Sequence, residues 1–276
     1  MALRGVDISE HNGSVDFAAL KNAGVAFVIL RLGYGSDYTN QDDKRFAENV
    51  RKAEAAGLPW GAYLYSYART TAMAKSEAQH ALRLLGDKKP LYGVWFDVED
   101  TQIAQTDLTA TCRTFCDTLE AAGLYAGIYA SLSWLTTKLS NAQLDRYDKW
   151  VAQWNSSCTY GKAYGIWQYT DKLVIGGKNF DGNYAYKDYP AIVQGINQPE
   201  EEEEEETMLT YDQWKAYMER YQEEQANKAV SDWAQEAVDF VKAQGYMSGD
   251  TDGNFRPQSP ITRQEVAAVM QNALGE

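Results

Sequence analysis

Between residues 4 and 131 the chain alternates short apolar runs with longer segments of helical period, and this restricts it to folds in which helices flank a parallel sheet. The apolar runs are 4–9 (containing GVDIS), 25–34 (VAFVILRLGY), 58–67 (LPWGAYLYSY), 91–99 (LYGVWFDVE) and 124–131 (LYAGIYAS). The second is apolar enough to be covered on both faces. Helical period marks 15–24, 41–56, 71–85 and 107–122, and Gly24, Gly57 and Gly123 supply stops. Beyond residue 131 the rhythm changes. Residues 141–147 read as a short helix or turn, and 149–154 (KWVAQW), 164–170 (YGIWQYT) and 179–183 (NFDGN) read as strands with little helix between them. Eight strands in under 190 residues predict a barrel-like sheet with several helices missing on one side.

The fourth run ends in three acids, Asp97, Glu99 and Asp100. Side chains alternate across a strand, so Asp97 and Glu99 point to one face with their backbones roughly 6–7 Å apart. Crowded carboxylates at the end of an apolar strand raise one pKa and favour a shared proton. No Lys or Arg lies between Tyr92 and Asp107, although a partner distant in sequence remains open. A catalytic acid pair is the favoured reading over a structural one. Polar residues also end the other strands: Asp7, Arg31, Tyr65, Tyr129, Trp154, Gln168 and Asp181. In a parallel barrel those ends share one face, where active sites are built. Strand ends are polar wherever loops begin, but that explains poorly three strands offering acids to one rim.

The 19 Tyr and 8 Trp suit stacking on sugar rings or flat bases, and a net charge of −13 argues against nucleic acid. The charge is −1 over residues 1–190 and −12 over 191–276, so the acidity belongs to the tail. No stretch is long and apolar enough to span a membrane. The opening MALRGVDIS lacks a signal-peptide core, so synthesis in a cytoplasm, or export by another route, is expected. Cys112, Cys116 and Cys158 cannot form a disulfide framework and read as buried or incidental thiols. His11 and His80 are too few for a histidine-rich metal site, and no metal or cofactor is expected.

GVDIS, GAYLYSY, the DxE pair in FDVED, WVAQW, IWQYT and FDGN, in that order over residues 3–190, resemble the glycoside hydrolase family 25 lysozymes. DxE alone is weak; the ordered set is highly specific. The resemblance implies a flattened (β/α)8-like barrel with reduced helices, and hydrolysis of the β-1,4 bond between N-acetylmuramic acid and N-acetylglucosamine in peptidoglycan. It makes Glu99 the general acid and Asp97 its partner. Asp7 and Asp181 match the acids after the first and last strands, and Tyr63, Tyr65, Tyr129, Trp154 and Gln168 the sugar-binding rim, to which the strand-end Arg31 is added. The histidine often found after the strand-three tyrosine is Leu64 here, at a position expected to point away. Glu99 is the better candidate for a raised pKa. The carboxylate separation falls between the retaining and inverting classes, and substrate assistance, with Asp97 orienting the 2-acetamido group, is the preferred mechanism.

Residues 195–208 read as an acidic linker, with seven glutamates after Pro199. A sharper reading is open: a purine-rich glutamate run before Thr207-Met208 would act as an internal ribosome-binding site, giving a shorter product that starts at Met208. Residues 209–276 form a small all-α domain. In its first helix, 209–228, Trp214, Tyr217, Met218 and Tyr221 make an exposed stripe that normally packs on something. Asp250, Asp252 and Asn254 alternate as in a calcium loop, but the glycine comes early and no glutamate closes it. Residues 231–274, with DWAQEAVDFVKAQGYMSG, DGNFRP and ITRQE, resemble one S-layer homology (SLH) repeat. That implies binding to peptidoglycan-linked polysaccharide, with Trp233 and Arg263 as contacts. Such repeats usually come in threes. Either one unit suffices or several chains assemble through their tails.

The expected protein is therefore a muramidase over 1–194, tethered to the wall by its tail. Without a signal peptide it fits a bacteriophage endolysin, made in the host cytoplasm and released to the wall. A non-catalytic wall-binding protein and a chitinase-like hydrolase are the alternatives.

Overall fold

The computed structural model describes residues 2–197, 210–250 and 254–275. The chain divides into two compact units, residues 1–199 and 200–276.

The first unit is a closed barrel of β1 (Leu3–Ile8), β2 (Phe27–Tyr34), β3 (Trp60–Tyr65), β4 (Val94–Asp97), β5 (Ala126–Ser131), β6 (Asp148–Ala152), β7 (Ile166–Ile175) and β8 (Lys178–Ala185), paired in sequence order. Helices α1 (Phe17–Asn22), α2 (Phe46–Ala56), α3 (Thr71–Leu85) and α4 (Leu108–Ala121) fill the first four crossovers. Only the short α5 (Leu132–Thr137) and a 3-10 turn follow β5. Among the described residues no helix separates β6 from β7, and a two-residue Gly176-Gly177 turn joins β7 to β8. The helices thin out on one side, as the sequence predicts.

One direction differs from the expected parallel sheet. β8 runs antiparallel to both β7 and β1. A two-residue glycine turn leaves no length for a crossover, so the chain must fold straight back.

Side-chain alternation on β4 explains how the acids are aimed. Val94, Phe96 and Val98 face outward into the core between sheet and helices, where Phe96 stacks on Phe115 of α4 at 4.1 Å. Trp95 points into the barrel, and Asp97 and Glu99 stand above it on the same side. The lower barrel is filled by aromatic rings: Phe27 stacks on Tyr92 at 4.2 Å, and Trp95 meets Trp150 edge to face at 6.0 Å. Glycine makes this filling possible. A Cβ on Gly5 would lie 2.4 Å from Phe27, and one on Gly127 2.4 Å from Trp95. Helix α6 (Tyr189–Asn197) follows β8 and inserts Tyr189 into the same cluster, where its hydroxyl donates to Asp148 at 2.6 Å. One end of the barrel is thus closed by apolar packing, and polar residues collect at the other. Leu64 packs outward in the helix–sheet core, as expected. Cys112 and Cys116 are buried on α4, and all three thiols are free.

Helix α6 continues through Asn197, so the first residues of the expected linker are helical. Residues 198–209, with the glutamate run and Met208, lie outside the described residues.

In the second unit, α7 (Tyr211–Ala226), α8 (Gln235–Ala243) and α9 (Arg263–Leu274) are described. Capping boxes at Thr210/Gln213 and Thr262/Glu265 start α7 and α9. Among the described residues of this unit, only Ala226 is buried. Asp252 of the expected calcium-like loop lies outside the described residues, while Asp250 pairs with Arg256 at 2.5 Å.

Candidate active site

The open end of the barrel holds a cavity of about 380 Å3 to which every strand contributes. β1 brings Asp7, and the turn after it Ser9, His11 and Asn12. β2 brings Arg31, β3 brings Tyr63 and Tyr65, and β4 ends with Asp97, followed by Glu99. Tyr129, Trp150, Gln168 and Asp181 come from β5 to β8. Asp181 reaches the mouth from the N-terminal half of an antiparallel strand, not from the end of a parallel one. Trp154 stands outside the lining, 61% exposed, with its Nε1 donating to Gln168 Oε1 at 3.2 Å.

Asp7 is held by two amides. Its Oδ2 accepts from Asn183 Nδ2 at 2.7 Å and from Gln168 Nε2 at 3.0 Å. Both amides are oriented by further donors: Trp150 Nε1 gives to Asn183 Oδ1 at 2.7 Å, and the Tyr129 hydroxyl gives to Gln168 Oε1 at 3.1 Å. Burial, then the charge of Asp181, pushes Asp7 well above the usual carboxylate range, against the pull of the two amides. Asp181, its register partner across β1 and β8, is raised by burial but pulled down by its hydrogen bond with Asp7. Burial and neighbouring charge thus raise both carboxyls of this pair, Asp7 the more strongly because it lies deeper.

Asp97 is 3% exposed, and its Oδ1 has no hydrogen-bond partner. Burial, then the charges of Glu99 and Asp7, raises it well above the ordinary range, with Arg31 opposing. Glu99 is exposed at the mouth, and partial burial followed by Asp181 and Asp100 raises it too. The expectation that Glu99 feels the stronger push needs correcting. β4 stops at Asp97, so Asp97 is enclosed by the barrel while Glu99 reaches past the rim. The acids lie in two tiers: Asp97 and Asp7 are buried, whereas Glu99 is exposed and Asp181 half-buried above them.

Arg31 lines the cavity, but its guanidinium donates to Asp43 at 2.8 Å and Glu10 at 3.0 Å. It acts there as a fixed positive charge. Tyr63 packs edge to face on Trp150 at 6.0 Å. The Tyr65 hydroxyl donates to Asp100 Oδ2 at 3.2 Å, so Asp100, the third acid of the run, orients a rim residue. Asn183, Trp150 and Ser9 were missed, although period-two spacing from Asp181, Trp154 and Asp7 places each on the inward face.

The two expected tail contacts are not brought into a cavity. Trp233 is 89% exposed and Arg263, in the first turn of α9, is also exposed. A groove of about 460 Å3 in that unit is lined by other residues, Phe255, Arg256 and Ile261 among them.

A helix-flanked barrel with four carboxylates at its mouth has the architecture of a glycoside hydrolase. Residues 6–178 match the model for Glycosyl hydrolases family 25, and the chain belongs to that family. Residues 228–267 match the S-layer homology domain. The "Autolytic lysozyme" of Clostridium acetobutylicum is 29% identical over 177 residues, 63% of this chain and 52% of that protein. The "N,O-diacetylmuramidase" of Chalaropsis sp is 27% identical over 195 residues, 64% of this chain and 92% of that one. Among solved structures, the modular autolysin LytC from Streptococcus pneumoniae in complex with a synthetic peptidoglycan ligand matches with a TM-score of 0.60 at 26% identity, covering 67% of this chain and 47% of that one. This chain thus spans about half the length of the Clostridium protein and of LytC.

Proposed function

We propose that this chain hydrolyses the β-1,4 bond between N-acetylmuramic acid and N-acetylglucosamine in bacterial peptidoglycan. The observation that carries the reading is the two-tier set of four carboxylates at the mouth of a family 25 barrel. Glu99, at the mouth, is the general acid. Asp97 is its partner, and the unpartnered Oδ1 of Asp97 is a buried acceptor waiting for a donor.

The 2-acetamido N–H of the substrate supplies that donor. Its carbonyl oxygen then attacks C1 as the C1–O4 bond breaks, and the Glu99 proton goes to the leaving oxygen. The oxazolinium ion formed carries positive charge beside the Asp97 carboxylate, which stabilises it. Water next adds to C1, its proton passes to Glu99, and the five-membered ring opens. In the free protein the pair's proton favours the deeper Asp97. Substrate reverses that order: its N–H lowers the Asp97 pKa, and expelling water from the mouth raises that of Glu99.

The S-layer homology domain holds the protein on wall polysaccharide, with Trp233 and Arg263 as contacts. The exposed stripe on α7 joins tails of several chains, and initiation at Met208 adds tail-only copies. Digestion of purified walls tests the activity. A new reducing end on N-acetylmuramic acid is expected; one on N-acetylglucosamine would indicate another hydrolase, and none a wall-binding protein.

A further inference from the structure

In an eight-strand ring β2 and β3 lie opposite β6 and β7. A line across the mouth between those two sides has Asp97 and Glu99, from β4 and the loop after it, on one bank. Asp7 and Asp181, from β1 and β8, stand on the other. One end of the line carries the exposed indole of Trp154, just beyond β6. The other end carries three tyrosines: Tyr34 closing β2, Tyr65 closing β3, and Tyr67 two residues later.

The three rings form one cluster. Tyr67 meets Tyr65 at 5.2 Å and Tyr34 at 6.1 Å, edge to face in both cases. Tyr65 commits its hydroxyl to Asp100, whereas Tyr67 is 36% exposed. The loop beneath is fixed from inside. The Tyr67 backbone N–H donates to Glu77 Oε1 at 2.8 Å, and the Ser66 hydroxyl donates to Glu77 Oε2 at 2.7 Å. Glu77, on α3, is fully buried. The Ser66 N–H donates to the Asp97 carbonyl at 2.9 Å, so the loop is in register with a reacting acid. A rigid aromatic surface of this kind offers apolar faces to the C–H faces of a sugar, with little ordering left to do on binding.

Resting on the glycan-hydrolase reading, we propose that Tyr34 and Tyr67 form a second sugar platform opposite Trp154. A glycan strand then lies across the mouth between the two carboxylate pairs, with sugar rings resting at both ends.

The test compares the full chain with its Tyr67→Ala and Tyr67→Phe variants on soluble peptidoglycan oligosaccharides of increasing length. The kcat/KM deficit of Y67A is expected to grow with length, to about three- to tenfold on the longest, and to appear in KM. Y67F should recover most of it. A deficit equal at every length, which a folding defect would give, or no deficit at any length, overturns the platform. If the unaltered chain cleaves no member of the series, it is the hydrolase reading that fails.

Discussion

At the residue scale the site depends on placing four acids at two depths. Glu99 can serve as an acid because part of its surroundings is buried and two carboxylates lie near it. Glu99→Gln should lower kcat by about 10^2 to 10^4 and leave the melting temperature near that of the parent, since Glu99 is exposed. A variant that keeps near-normal turnover would remove Glu99 from the chemistry. The inward aim of Asp97 and Glu99 was legible, because period-two alternation carries it from Trp95 upward. Their relative burial was not legible, because it depends on where β4 stops. Asn183 was legible in principle, two positions after Asp181, yet its value rests on contacts with Asp7 and Trp150, far away in sequence.

At the element scale the rim is positioned from behind by α3. Glu77 is buried beneath the loop after β3, and burial raises its carboxyl to about 7. A carboxyl raised on folding adds stability that is complete below its unfolded pKa and is lost as pH rises through the folded one. Glu77 should therefore cost stability between about pH 4.5 and 7, by roughly 3 kcal/mol over the range. Glu77→Gln keeps an acceptor for the Tyr67 N–H and carries no charge. Urea unfolding across that window should show a flatter pH dependence for E77Q than for the parent. Equal slopes would mean that Glu77 stays ionised throughout. The strands and helices of the first half were readable from period alone. The direction of β8 was misread, although two glycines between two short apolar runs are a hairpin signal. The alternation of strand and helix up to residue 131 implies a parallel sheet, and that direction was carried onto the last strand.

At the scale of the whole molecule the two units are built differently. The barrel buries a large aromatic interior, whereas the tail leaves Trp214, Tyr217 and Tyr221 about half exposed on α7. Surface of that kind is normally covered. Light scattering of the full chain at micromolar concentration should give a mass above one chain, and a blot against the tail should show a second, shorter band from Met208. A monomer would dismiss assembly. A single band, unchanged when the glutamate codons are recoded synonymously, would dismiss the internal start.

The reversed β8 has one more consequence. Because it runs back along β1, Leu3 and Ala185 are register partners at the closed end of the barrel. The barrel's entrance and exit for the polypeptide are therefore neighbours, on the side facing away from the acids. A circular permutant that links those two ends and opens a surface loop between helices should fold around an unchanged mouth. The barrel is in this sense a ring of chain cut at one place, and the cut can be moved without refitting the mouth.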